Sequence, residues 1–368
     1  MKILVMGFTK IKYMPYANFY LDNLNTRENE VHILYWNRDL RNEDTSAYDS
    51  CILHEFNSYQ EDDVSKVSKI KNFIKYRKYA KSVIKKENFD FIIVLHSLPG
   101  VLVGSLLKKK YKDRYILDYR DSTYEKFALF KKSVGNLVKS SSATFVSSDA
   151  FRRFLPEECC GKIFTSHNML MDSIAHRDEK RVSGTYSEKI RISFWGFIRH
   201  EQINREIIKK IASDSRFELH YYGREQQIAL NLKQYSRDIC AQNVFFHGEY
   251  KPEDRYEFVR NTDIIHNIYE DGNMMLAMGN KYYDAAIFYI PIISMSNSYM
   301  AQTAKSANIG FEVNPYDNDF TDKLFEAYIS LDKEDFYKNC DRELERVLRE
   351  YNFGADLIQK LTDSSRKE

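Results

Sequence analysis

Residues 278–294 read MGNKYYDAAIFYIPIIS, and the periodicity of the chain changes twice inside them. Gly279-Asn280 reads as a turn ending in a helix N-cap, because a short amide side chain can take an orphan N–H of the first turn. Residues 281–288 then span about two helical turns, with Lys281 and Asp284 on one face. Pro291 disfavours a helical residue before it, so the helix stops at 289–290. Residues 290–295 form a nearly unbroken apolar run, the pattern of a strand buried on both faces. Loop, short helix and buried parallel strand is how an α/β domain aims a helix N-terminus at an anion.

A lysine at that N-terminus adds a full positive charge to the helix dipole. Asp284, on the same face, can accept hydrogen bonds from a vicinal diol. The two residues therefore read in one of two ways. Either they meet the diphosphate and ribose of a nucleotide sugar, or they are a Lys–Asp surface pair on a capped helix.

The string resembles a signature of GT-B glycosyltransferases: Asn-Lys-aromatic-x-acid, then, further on, Pro-aliphatic-aliphatic. It is most like the group 1 and family-four relatives that build bacterial surface polysaccharides. The resemblance implies that Lys281 contacts the donor diphosphate and that Asp284, standing where Glu is usual, contacts the donor ribose. Two features depart from the pattern. Tyr289-Ile290 replaces the usual Gly before the Pro-aliphatic strand, and the earlier acid of the family's Glu pair falls on Leu276.

Composition sets the bounds. The 368 residues suit two domains of ordinary size, each able to bury a core. Lys plus Arg total 55 against 53 Asp plus Glu, so the overall charge implies no polyanionic partner and no nucleic acid. Five cysteines without C-x-x-C spacing read as reduced thiols of a cytoplasmic protein. The opening MKILVMGF enters a strand at once, and no signal peptide is expected. No apolar run approaches the ~20 residues of a spanning helix.

Short apolar runs at 2–8, 31–36, 51–56, 89–96, 114–118, 143–147 and 162–166 alternate with polar segments of helical period. The pattern restarts at 190–195, 217–222, 244–247, 263–268, 290–295 and 310–313. This predicts an α/β chain of two doubly wound, Rossmann-like domains, with ligands at the carboxyl ends of the strands. With the resemblance it predicts the GT-B arrangement, two such domains facing across a cleft. Residues 1–171 form the acceptor-side domain, 172–189 a polar linker and 190–350 the nucleotide-sugar domain. Residues 332–351 and 353–361 read as two amphipathic helices, the segment 351–368 returning to the first domain.

Other candidate residues close the predicted strands. Gly196, after the first strand of the second domain, either lets a phosphate approach the backbone or permits a tight turn. The resemblance implies the former, with Arg199 as the neutralising cation. Tyr222-Gly223 and His247-Gly248 end the next two strands, where the resemblance implies contacts to the nucleotide base. Glu270, or Asp271, either stands in for the missing family acid or lies in a solvated loop. In the first domain Asp118-Tyr119-Arg120-Asp121 ends a strand. Asp118 reads as a structural hydrogen-bond acceptor. Asp121 is either a carboxylate facing substrate as general base or the cap of a helix after Ser122. His96, after the fourth strand, is either catalytic or packed and hydrogen-bonded. His167-Asn168 resembles a pair that relatives carry near the interdomain crevice. No zinc spacing or Ser-His-Asp order appears, so the chemistry is expected to need neither metal nor cofactor.

The resemblance thus implies an enzyme that moves a sugar from a nucleotide-diphosphate donor, a UDP-sugar, to a glycan or lipid-diphosphate-linked acceptor. A UDP-sugar epimerase of the same fold and a non-catalytic nucleotide-sugar binder are the alternatives. Residues 66–86, KVSKIKNFIKYRKYAKSVIKK, carry nine Lys/Arg and no acid. They form either an ordinary helix with its apolar stripe on the sheet or a contact to an anionic membrane, where each cation adds ~1 kcal/mol. The expected location is the cytoplasm, with peripheral attachment at the inner face of the plasma membrane.

Overall fold

The computed structural model describes residues 1–24, 26–60, 64–178, 188–270 and 272–363. The chain divides into two compact units, residues 1–167 with 349–368, and residues 168–348. The expected strands all form, with ends within two residues of the apolar runs. In the first unit they are β1 (Lys2–Met6), β2 (Glu30–Asn37), β3 (Ile52–Asn57), β4 (Phe91–Leu95), β5 (Tyr115–Tyr119), β6 (Ala143–Val146) and β7 (Ile163–Thr165). In the second they are β8 (Ile190–Trp195), β9 (Phe217–Tyr222), β10 (Val244–Gly248), β11 (Ile264–Asn267), β12 (Ile292–Met295) and β13 (Gly310–Val313).

Each unit holds one parallel sheet, ordered β3-β2-β1-β4-β5-β6-β7 in the first and β10-β9-β8-β11-β12-β13 in the second. Both orders reverse once, between β1 and β4 and between β8 and β11. Such a reversal splits the following loops apart and opens a crevice at the carboxyl ends of the strands. Ile3, Val5, Ile33, Ile93, Ile116 and Phe145 centre the first core. Ile192, Phe194, Ile207, Leu219, Ile264 and Ile293 centre the second.

The deciding stretch folds as helix Asn280–Phe288 followed by β12. Gly279, not Asn280, takes the cap position, and no side chain caps the helix. Tyr289 ends it at φ +55°, the left-handed position that favours Gly. A Cβ there costs about 1 kcal/mol. Tertiary contacts offset this: the Tyr289 hydroxyl donates to Asp341 at 2.6 Å and accepts from Arg177 Nε at 2.8 Å.

The two terminal helices expected from the sequence are one, Lys333–Thr362, running without interruption through Gly354. That glycine marks a close approach rather than a break. A Cβ on it would lie 2.9 Å from Phe19 and 3.1 Å from Phe145. Of the stretch 172–189, Met171–His176 is a turn of 3-10 helix whose Ser173 is fully buried and accepts from Arg255. Residues 179–187 and Asp271 lie outside the described residues.

Candidate functional site

The second unit places most of the candidate residues around its switch point. β8 runs straight into Gly196, which sits at φ +120°, a conformation closed to most side chains. The glycines that end the neighbouring strands line up beside it. Gly196 N–H donates to Tyr222 O at 2.9 Å, and Gly223 N–H donates to Gly248 O at 2.8 Å. A Cβ on Gly223 would fall 2.1 Å from the carbonyl oxygen of Gly196. Gly248 has φ +83° and open space around it. The glycines thus permit close backbone packing at the strand ends.

Lys281, in the first turn of the uncapped helix, reaches into this crevice. Its Nζ is 3.7 Å from where a Cβ on Gly196 would stand. The ammonium sits 4.2 Å from the centroid of Phe194 and donates to the Tyr269 hydroxyl at 3.3 Å. Lys281 is only 8% exposed, yet among the described residues it forms no ion pair. Buried cations are ordinarily paired, because desolvation of an unpaired one costs several kcal/mol. Ring face and phenol satisfy part of that demand, and an anion would satisfy the rest. Phe194 and Tyr269 were not singled out in the sequence. Phe194 lies within an apolar strand and Tyr269 just past one, neither changing the pattern, so only their neighbours reveal them.

Asp284 lies on the same helix but differently from the ribose-facing expectation. It is 2% exposed, and its Oδ2 accepts the Trp195 indole N–H at 3.1 Å. Burial pushes its carboxyl up, against the pull of Arg255, the Trp195 hydrogen bond and Lys281. Held by protein groups, it is placed to brace β8 against the helix rather than to offer a free carboxylate.

The other candidate residues lie in varied surroundings. The Tyr222 ring is covered on both faces. His247 and Phe258 each stack on it at 4.2 Å, nearly parallel, so they cover opposite faces. His247 itself is exposed and its Nε2 lies 3.0 Å from His220 Nδ1. Arg199 is exposed, its guanidinium 5.2 Å from the Phe197 ring. Glu270 is exposed and accepts the Tyr316 hydroxyl at 2.7 Å. Asn168 donates to Met278 O at 2.8 Å, tying down the turn before the helix.

In the first unit the switch point gathers His96, Tyr16 and Arg120. His96 follows β4 at φ +77° and opens helix Ser97–Lys110, a strained position for a residue with a Cβ. Its Nε2 is 2.6 Å from the Tyr16 hydroxyl. Burial, followed by the Arg120 and Arg38 cations, lowers its pKa to about 3, so the ring is neutral at working pH. Arg120 lies 4.4 Å from the Tyr16 ring centroid and donates to buried Asp118 at 3.1 Å and to Ser166 at 3.0 Å. Asp121 is exposed at the end of this strand. It caps no helix after Ser122, because the next helix, Ala128–Ser140, has Phe127 at its N-cap. His167 pairs with Glu350 at 2.8 Å.

Two doubly wound units, each with polar and cationic side chains at its switch point, make up the chain. Solved structures show which such fold it is. A sucrose-phosphate synthase from Thermosynechococcus elongatus, 12% identical, matches with TM-score 0.72 over 98% of this chain and 97% of its own. Anabaena HepE, solved in complex with UDP, is 12% identical and matches with TM-score 0.68 over 98% and 100%. A Listeria monocytogenes protein described as a UDP-N-acetylglucosamine 2-epimerase, 10% identical, matches with TM-score 0.58 over 94% and 95%. The fold is GT-B. No protein-family model and no curated protein matches the sequence.

Proposed function

We propose that this protein is a glycosyltransferase that moves a sugar from a nucleoside diphosphate donor, a UDP-sugar, to a glycan or lipid-diphosphate-linked acceptor. The setting we propose is bacterial surface polysaccharide synthesis, at the inner, anionic face of the cytoplasmic membrane. The observation that carries the reading is Lys281, a buried ammonium without a carboxylate partner among the described residues, at an uncapped helix N-terminus beside Gly196. A diphosphate supplies the missing anion.

Transfer breaks the bond between the anomeric carbon and the diphosphate oxygen and leaves negative charge on UDP. Lys281, the first-turn amides and Arg199 answer that charge with fixed electrostatics and no metal ion. Asp121 is the carboxylate we assign to the acceptor hydroxyl, as general base in the first unit. His96, neutral and held by Tyr16, is assigned to the same side as a hydrogen-bonding partner of substrate.

The test is UDP release and product formation from a panel of UDP-sugars, with and without a lipid-linked saccharide acceptor. Acceptor-dependent release, lost in Asp121→Asn while UDP binding persists, is the expected result. A UDP-sugar isomerised without acceptor would make the protein an epimerase, and UDP binding without turnover would make it a sensor.

A further inference from the structure

Helix Lys66–Glu87 has two apolar sides, which its sequence alone does not separate. Tyr76, Ala80, Val83 and Ile84 are buried on the inner side. Val67, Ile70 and Ile74 recur at helical spacing on the outer side, 63%, 58% and 48% exposed. At about 100° per residue the outer three centre roughly 130° around the helix from the buried set. The stripe expected to lie on the sheet is therefore divided, and its first half faces away.

Cations surround this outer ridge. Lys66, Lys71, Lys75, Arg77, Lys78 and Lys85 form no ion pair among the described residues. Even counting the three acids at 61–63, nine cations leave the stretch strongly positive. A second exposed apolar site lies on the same unit. Leu129, 82% exposed, opens helix Ala128–Ser140 between Lys126 and Lys131-Lys132, with exposed Phe127 beside it. Both helices pack against helix Ser97–Lys110 in one layer. In a parallel sheet each crossover helix runs back against the strands. The helix starts carrying Val67 and Leu129 thus share the carboxyl end of the sheet, the end that also carries His96 and Asp121.

We propose that this rim docks the first unit on an anionic membrane, with Val67, Ile70 and Ile74 entering the headgroup layer and the lysines lying over lipid phosphates. Three aliphatic side chains without a groove are too few for a stable protein interface. They suit a fluid surface, where shallow apolar insertion and diffuse charge act together. A nucleic acid would use the cations and leave the aliphatic ridge idle. The same end of the sheet would then face a lipid-linked acceptor.

This inference rests on the membrane reading above, and two arms keep their failures apart. Wild type and the Val67→Ser, Ile70→Ser, Ile74→Ser triple variant are sedimented with phosphatidylcholine vesicles with and without phosphatidylglycerol. Wild type is expected to bind only the anionic vesicles, with binding reduced by salt. The triple variant is expected to lose about tenfold in partitioning, with its melting temperature and UDP affinity unchanged. Ile70→Trp supplies a second measurement, a blue shift of its emission on anionic vesicles. No binding by wild type overturns the membrane reading itself. Equal binding by wild type and triple variant, or no shift from Ile70→Trp, overturns the ridge and leaves that reading standing. Binding to duplex DNA as tight as to anionic vesicles, and equal in wild type and triple variant, assigns the cations to nucleic acid and overturns the docking surface.

Discussion

Lys281 Nζ stands 3.7 Å from the point a Cβ on Gly196 would occupy, so the cation lies in contact with the bare face of that glycine. The relationship separates binding from stability. A buried ammonium without a carboxylate costs folding free energy, and a ligand anion recovers it. Lys281→Met should therefore weaken UDP binding at least about tenfold while the protein melts no lower than wild type. Calorimetric titration with UDP and a thermal melt check both halves. A variant that binds UDP as wild type does would remove Lys281 from the site.

Gly223 and Gly248 should respond differently to the same methyl group. At Gly223 the new Cβ would meet the Gly196 carbonyl oxygen at 2.1 Å, and backbone cannot rotate out of the way as a side chain can. Gly223→Ala should cost about 1–3 kcal/mol and shift the glycine-lined crevice, reducing UDP affinity. Gly248→Ala meets no neighbour within 4 Å and pays only for its φ of +83°, about 1 kcal/mol. Urea unfolding of the two variants compares them directly. A loss at Gly223 no larger than that at Gly248 would show that the Gly196 contact is relieved without cost.

Asp284→Ala should act on stability first. It strips the Trp195 indole of its acceptor and removes a carboxylate that faces Arg255. The expected loss is on the order of 2–4 kcal/mol. A variant of wild-type stability whose only defect is a higher donor KM would return Asp284 to the ribose.

Acid should destabilise the second unit through His266. Its Nδ1 accepts the Ile268 N–H at 3.2 Å, and its Nε2 faces Asn204 Oδ1 at 3.3 Å, so both nitrogens are used by a neutral ring. Burial, helped by the Lys281 cation, lowers its pKa to about 3. The unfolded chain takes up this proton from about pH 6.5 downward and the folded chain does not. The contribution is therefore intact above pH ~6.5 and drains as pH falls toward the folded value, by up to about 1.4 kcal/mol per pH unit. Urea unfolding between pH 7 and pH 5, with the His266 ring followed by NMR, measures it. A His266 titration midpoint near 6.5 would sink the prediction.

Alternation of apolar runs with helical period was enough to place the strands, and MGNKYYDAAIFYIPIIS was enough to put a lysine at a helix start before a buried parallel strand. These are local properties, set by side-chain spacing and by proline. What Lys281 meets is not local. Phe194 comes from β8 and Tyr269 from the end of β11, and their approach depends on the sheet order reversing between those strands. The same holds for Asp284, which spacing puts beside Lys281 but Trp195 holds in the interior. The gap expected between helices 332–351 and 353–361 is continuous helix, in which Gly354 makes a close approach to Phe19 and Phe145. Helical spacing grouped Val67, Ile70 and Ile74 with Val83 and Ile84, and only packing showed that the first set is exposed and the second buried. Sequence records which side chains are near along the chain. Tertiary structure decides which lose their water and to whom, and that desolvation gives the buried lysine its demand for an anion.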